Sequence, residues 1–546
     1  MEDPDAAETR KFVDDLNAIS APFIAGAPSR EKIREKISAW TKDGSIYAYG
    51  LSEKGSDWVT VKFRGADKKD LSDVITGVKH SSLSWLKDNS GIFYCKYPDH
   101  RTATEGTSVE KHKYHSLYFH RMGTNCKEDV LVHDRRDNAD YMIGGSVTED
   151  GKYLIIDVSR GCDPYNMLYY YDLSAAKGGF GKIKPTPLFD KLDAKYDYVD
   201  HDDESMLIQT NKDAPMFKLI RVSLKDGSVK ELVPENPRHK LNWATVVAGN
   251  RLVLSYIEDV KDALYVYDLN TGARQYQFPL KIGSLSGFFG KKALSEMLFS
   301  FESFTVPTII YRVDFASVNK RAIPEVEELR RVRIKGMDEK QFNVEQVFFA
   351  SKDGTKVPMY IISLKDTPRD GNNATILNGY GGFNVADMPY FSISRLLVVR
   401  HFKGIIACAN LRGGSEYGEN WHMSGMRDKK QNVFDDFISA AEYLIENKYT
   451  CSKNVMDMLR FHRFTVGGAW VPEYGNPDVP NDFEFIYKLV LLAFLAKLHK
   501  LQTNPLLVRV EVKAGHGAGK PTTKVIAEIV DMYSFLQRVL DLEWTD

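Results

Sequence analysis

Cysteine is scarce in this sequence: Cys95, Cys126, Cys162, Cys408 and Cys451 are the only five in 546 residues, and no two form C-x-x-C. An odd, dispersed set excludes a disulfide framework or a cysteine zinc site and fits a reduced, cytoplasmic chain. Net charge is almost absent. Lys and Arg number 73 against 74 Asp and Glu, a balance of −1. That argues against the broad basic surface that nucleic acid or an anionic membrane requires. Long apolar runs are missing too. The longest, "LVLLAFLA" (489–496), is far too short to span a bilayer. The first residues, "MEDPDAAETRKF", are acidic and have no apolar centre, so no signal peptide is expected. The 13 histidines form no H-E-x-x-H or similar pattern, which argues against a metalloenzyme, and no cofactor is expected.

What the chain does contain is aromatic: 29 Phe, 28 Tyr and 7 Trp, a composition that favours strands. At this length two or more domains are expected. Residues 5–19 read as an amphipathic helix, with Phe12, Leu16 and Ile19 on one side. From 37 to 335 one theme recurs: a short β run, a tight turn, another β run. Examples are "AWTKDGSIYAYGLS" (39–52), "SWLKDNSGIFYCKY" (84–97), "SVTEDGKYLIIDVS" (146–159), "VDHDDESMLIQTN" (199–211) and "VVAGNRLVLSYIED" (246–259). Their D-G, N-S-G and G-N turns tolerate the positive φ that hairpins need. About six such units at this period predict a β-propeller, with a β-sandwich as the alternative.

After 336 the pattern becomes α/β. "ATILNGYGGF" and "GIIACANLRGG" each run from an apolar strand into a glycine-rich loop. "NVFDDFISAAEYLIENKY" (432–449) has a helical period, with Phe434, Phe437, Ala441 and Leu444 on one face. "PLLVRVEVKAGHGAGKPTTKVIAEIVDMYSFLQRVL" predicts a strand, a turn and a last helix. A mostly parallel sheet follows, with active groups on loops at the strands' carboxyl ends. The turn "AGHGAGKP" (514–521) nearly matches a phosphate loop. Pro521, however, stands where that loop needs a Mg²⁺-binding Ser or Thr. His516 instead occupies the place of a triad histidine in an α/β hydrolase; a surface histidine on a loop is the competing reading.

The stretches "NGYGGFN" (378–384), "NLRGGSEYGENWH" (410–422), "KQNVFDDFISAAEYLI" (430–445), "GGAWVPEYG" (467–475) and "KAGHGAGKPTTK" (513–524) closely resemble the prolyl oligopeptidase family, as do "LSEKGSDWVTVKF" (51–63) and "RGCDPYN" (160–166). The resemblance implies an N-terminal helical arm over 1–36, a propeller over 37–335 and an α/β-hydrolase catalytic domain over 336–546. The propeller would be seven-bladed, with its first blade shortened. It further implies a cytoplasmic, monomeric serine peptidase that cuts short peptides after proline. By the same resemblance His516 is the general base and Tyr380 the oxyanion stabiliser. Trp470 stacks on the substrate proline, and Phe383, Val466 and Tyr474 line its pocket.

The sequence departs from that family at the decisive point. The family carries its nucleophile in a glycine-flanked elbow soon after the helix that here ends near Tyr449. This chain reads "YTCSKNVMDMLRFH" (449–462), and no G-x-S-x-G occurs anywhere in it. Ser146, Ser415 and Ser452 are not credible substitutes. The triad aspartate is missing as well, because "NDFEFIYK" (481–488) runs straight into 489–496 and leaves only Asp482, Glu484 and Glu511 nearby. Segments are therefore expected to be absent near 454–455 and 488–489, and the chain is expected to be inactive. The alternative function is a non-catalytic, propeller-based protein that binds proline-containing peptides.

Overall fold

A computed structural model describes residues 35–40, 43–52, 58–98, 112–176, 179–316, 324–334, 336–451, 455–457, 473 and 522–545. The N-terminal arm, the 514–521 turn and the 489–496 run lie outside these residues. Among the described residues twenty-four strands form six four-stranded antiparallel blades, where the resemblance implied seven with the first shortened; the first described blade has its full four strands. The first blade is β1 to β4 (Glu35–Trp40, Ile46–Leu51, Val59–Gly65, Asp70–Val78). The second is β5 to β8 (Ser84–Trp85, Gly91–Lys96, Ser116–Arg121, Val130–His133), and the third β9 to β12 (Tyr141–Val147, Tyr153–Arg160, Asn166–Asp172, Thr186–Phe189). The fourth is β13 to β16 (Tyr196–His201, Ser205–Thr210, Lys218–Ser223, Val229–Val233) and the fifth β17 to β20 (Lys240–Val247, Arg251–Ile257, Asp262–Asp268, Arg274–Gln277). The sixth is β21 to β24 (Ser284–Gly290, Glu296–Glu302, Ile309–Asp314, Glu325–Arg331). A single register pair, Val78 with Lys96, joins the first two blades into one sheet. The turn chemistry explains the hairpins: Asn89 and Gly151 hold φ of +62° and +80°, as the D-N-S-G and E-D-G sequences anticipate.

Each blade buries its middle strands against its neighbours. In β18, Leu252, Val253, Leu254, Tyr256 and Ile257 are all buried; Leu252, Leu254 and Tyr256 pack with residues of the fourth blade and Val253 with residues of the sixth. The outermost strand β24 reads "EVEELRR" and is exposed almost throughout; its charges blunt the sheet edge. At the mouth remote from the second domain, the turn after β21 reaches across to other blades. Glu149 accepts hydrogen bonds from the backbone N–H groups of Lys292 (3.0 Å) and Ala293 (3.1 Å), and Lys292 Nζ donates to Asp200 (2.7 Å).

The second domain is a five-stranded sheet in the order β25-β26-β28-β27-β29 (Phe342–Ala350, Lys356–Leu364, Ile405–Ala409, Thr375–Gly379, Val455–Asp457). β25, β26 and β28 pair antiparallel, while β28, β27 and β29 run parallel. β28 is buried at every residue, so both faces are covered. One face packs on helix α3 (Gln431–Glu446), through Val433, Phe437, Ala440 and Leu444. The other packs on α1 (Ile393–His401) and α4 (Thr522–Leu540), through Leu396, Val398, Val399 and Leu536. The buried face of α3 is centred one residue away from the stripe expected from sequence. Val433 and Ala440 are buried while Phe434 and Ala441 are only partly so, because Asp436 faces inward to pair with Arg412. Among the described residues no helix is long and apolar enough to cross a membrane.

The two domains share a core. Val260 and Phe304, from turns of the fifth and sixth blades, pack with Phe342, Tyr360 and Ile362 of the second domain. Tyr360 donates its hydroxyl to the Val260 carbonyl (3.1 Å), and Gln346 donates to that of Asp259 (2.7 Å).

Candidate active-site face

The loop leaving β27 at its carboxyl end contains Tyr380, Gly381, Gly382, Phe383 and Asn384. It turns sharply, with φ of +58° at Gly381, +56° at Phe383 and +55° at Asn384. Tyr380 is 41% exposed, and its ring lies 6.4 Å from that of Phe383 at an angle of 44°. Partial burial, with the nearby Glu473 carboxylate and Cys162, pushes the Tyr380 phenol above its ordinary range. At neutral pH it is therefore a hydroxyl donor, the form that can meet negative charge developing on a substrate oxygen. Cys162 comes from the propeller turn "RGCDPYN", so this face looks onto the third blade. Burial, then Glu473, raises its thiol too. Close by, a cavity of about 360 Å³ lies between the domains, lined by Pro164, Tyr165 and Leu192 on one side and Met423 and Met426 on the other.

Beneath the loop is a buried ionic network. Helix α2 (Gly418–Met423) contributes Glu419 and His422; Lys430 caps α3; Glu473 is the described residue between Asp457 and Thr522. His422 faces Glu473 Oε2 through Nε2 (2.9 Å) and Glu419 Oε1 through Nδ1 (3.2 Å). Lys430 Nζ donates to Glu473 Oε1 (3.1 Å) and to the Gly381 carbonyl (2.9 Å). All four side chains are at most 7% exposed. Burial alone would lower the His422 pKa, but its two carboxylate partners outweigh that and raise it to about 9. Burial likewise opposes ionisation of Glu473, yet His422 and Lys430 hold its carboxyl below the usual range.

A second ion pair fixes the neighbouring "NLRGG" loop. Arg412 grips Asp436 through Nη2 (2.6 Å) and Nε (3.0 Å), and its backbone N–H donates to the same carboxylate (3.0 Å). Both residues are buried, which ties β28's loop to α3.

Of the residues singled out from sequence, the structure places Tyr380 and Phe383 side by side. His516, Trp470, Val466 and Tyr474 lie outside the described residues, as do Ser452, Asp482, Glu484 and Glu511. Ser415 is 4% exposed, and Ser146 sits on β9 of the propeller. Glu419, His422, Lys430 and Glu473 all fall inside the quoted motifs, yet sequence reasoning assigned them no role. The available signal was a set of charged residues embedded in aromatic, glycine-rich stretches.

A family model described as the prolyl oligopeptidase N-terminal beta-propeller domain matches residues 38–325, and one described as the prolyl oligopeptidase family matches 389–458. Prolyl oligopeptidase A of Galerina marginata is 32% identical over 592 aligned positions, covering 93% of this chain and 79% of the relative. That alignment is longer than this chain, so it leaves residues of the relative unmatched within its span. The prolyl endopeptidase of Elizabethkingia meningoseptica is 31% identical, covering 91% of this chain and 77% of the relative. Among solved structures, prolyl oligopeptidase B from Galerina marginata bound to a 25mer macrocyclization substrate superposes with a TM-score of 0.86 at 28% identity, over 94% of this chain and 81% of that one. With a β-propeller followed by a peptidase domain, and with relatives of this identity along nearly its whole length, the chain belongs to the prolyl oligopeptidase family.

Proposed function

We propose that the chain is built on the plan of a serine endopeptidase that hydrolyses short peptides on the carboxyl side of proline, and that in this exact sequence it does not turn over. In that plan His516 is the general base, Tyr380 donates to the oxyanion, and Trp470 receives the proline ring, with Phe383, Val466 and Tyr474 around it. A flat, apolar ring without an N–H packs well on aromatic faces. The peptide-bound state of the Galerina structure supports a peptide as the ligand.

The observation that carries the inactivity is the run from α3 into β29. Helix α3 ends at Glu446 and the parallel strand Val455–Asp457 begins nine residues later, with no glycine-flanked serine between them or elsewhere in the sequence. A histidine base activates a serine only within hydrogen-bond reach and needs a carboxylate to set its tautomer. Loss of the nucleophile lowers turnover on the order of a million-fold. The test uses the purified chain with a fluorophosphonate probe and a fluorogenic post-proline peptide. Neither labelling nor hydrolysis is expected, and labelling of this chain would overturn the reading. RNA reads across codons 451–456 separate a catalytic parent from a natural variant: an inserted segment carrying a glycine-flanked serine identifies the parent as the active peptidase.

The second reading, a non-catalytic protein that binds proline-containing peptides, is favoured by the six blades and by the facing pair Tyr380 and Phe383. Calorimetric titration with a proline peptide separates the two. Saturable binding without cleavage by this chain, with no longer transcript present, supports the binding protein.

A further inference from the structure

The loop bearing Tyr380 and Phe383 is held in a conformation that its own residues disfavour. Phe383 and Asn384 are both left-handed, a region that asparagine tolerates but that a phenylalanine keeps only when its surroundings over-determine it. Three tethers do so. Lys430 Nζ donates to the Gly381 carbonyl (2.9 Å), the Phe383 N–H donates to the Glu473 carboxylate, and Asn384 Nδ2 donates to Glu419 Oε2 (3.3 Å). Glu473 and Glu419 both face His422, and Lys430 is linked to them through Glu473. Both ring nitrogens of His422 face carboxylates, so both must donate, and the ring is an imidazolium. Two carboxylates are then balanced by one imidazolium and one ammonium, the condition for keeping four charges out of water. Around them stand Cys162 and Tyr380 near Glu473, Tyr165 near Glu419, and Lys240 beyond Glu419.

Glu419 also reaches the other domain. Its Oε2 accepts from Asn211 of the propeller (3.3 Å), and its backbone N–H donates to the Pro215 carbonyl (2.9 Å). The same oxygen thus serves Asn211 on the propeller and Asn384 on the loop.

We propose that Glu419, His422, Lys430 and Glu473 form a positioning frame that holds the Gly381–Asn384 loop ready for a peptide, and that Glu419 makes the order of this loop depend on docking of the propeller. The proposal rests on the reading of Tyr380 and Phe383 as peptide-facing. None of the four frame residues is assigned a contact with the substrate; they act through the loop. When the domains part, Glu419 loses two of its partners and the Asn384 tether weakens with them.

The test is amide hydrogen exchange on the full chain, comparing the parent with His422→Gln and Asn211→Ala, together with ¹⁵N spectra of the histidine rings. In the parent, the ring signal lost on His422→Gln should show both nitrogens protonated through pH 8. His422→Gln should raise exchange at Gly382–Asn384 about tenfold, as loss of a charged hydrogen-bond partner predicts. Asn211→Ala, altered only on the propeller side, should raise it at the same amides about threefold and leave β14 and β15 unchanged. A neutral ring at pH 7, or loop exchange unaltered by Asn211→Ala, overturns the proposal. If His422→Gln fails to fold, the ring spectrum and Asn211→Ala still decide. No arm uses a peptide, so a failed peptide titration counts against the functional reading alone.

Discussion

Glu416 and His422, six residues apart, are buried groups whose raised pKa values both make stability fall as pH rises, each over its own range. Burial pushes the Glu416 carboxyl up to about 7, against an ordinary 4.5, and the hydrogen bonds it accepts from Asp387 N–H (2.9 Å) and Asn410 (3.2 Å) only partly offset this. An acid with a raised folded-state pKa opposes folding once it ionises, so stability falls as pH rises from 4.5 through 7. Glu416→Gln should therefore leave stability unchanged near pH 4.5 and raise it by about 1–3 kcal/mol at pH 8, read from urea midpoints. His422 is a base raised to about 9 from 6.5. Its contribution is complete below pH 6.5 and lost as pH rises through 9, so the Tm gap between parent and His422→Gln should narrow between pH 6.5 and 9. Arg412 gives a third case. Arg412→Met leaves Asp436, which is fully buried, without its partner and should destabilise by about 3–5 kcal/mol. That arginine lies in the quoted "NLRGG" stretch, where sequence reasoning assigned it no role. Its bidentate grip on Asp436 shows a structural role.

At the scale of elements, the start of α2 packs directly on a propeller turn, where the Glu419 N–H donates to the Pro215 carbonyl (2.9 Å). Gly418 holds φ of +75°, and a Cβ there would overlap the Pro215 carbonyl oxygen and the Met216 sulfur. Gly418→Ala should therefore loosen the docking of the propeller, adding both backbone strain and a clash. The expected outcomes are a lower Tm and faster proteolysis between the domains, with the strand content by circular dichroism unchanged. Elements of this kind were largely legible in the sequence. The hairpins at 39–52, 84–97, 199–211 and 246–259 and the strands running into "GYGGF" and "NLRGG" carry their signal in alternation and turn residues. The buried face of α3 was displaced by one position, because a charged residue on that face is buried by its ion pair, which a hydrophobic period does not register.

For the whole molecule, Val260 is the most telling position. It is a β-branched residue at φ +60°, fully buried, on a propeller turn that inserts into the core of the second domain. Such an outlier persists only because the burial it gains exceeds the strain. Val260→Asp should uncouple the domains, replacing one cooperative thermal transition by two in calorimetry; a single transition of unchanged midpoint would contradict this.

The sequence alone determined the repeating hairpins, the change to strand-and-glycine-loop texture after 336, the family, and the lack of a glycine-flanked serine. These are properties of neighbouring residues, and neighbours set local period and turn chemistry. Tertiary structure alone decided that Glu419, His422, Lys430 and Glu473 meet under one loop, and that Asn211 of the propeller shares a carboxylate oxygen with Asn384. Which buried charge finds which partner depends on how distant segments are brought together and shut away from water, and no local pattern records that.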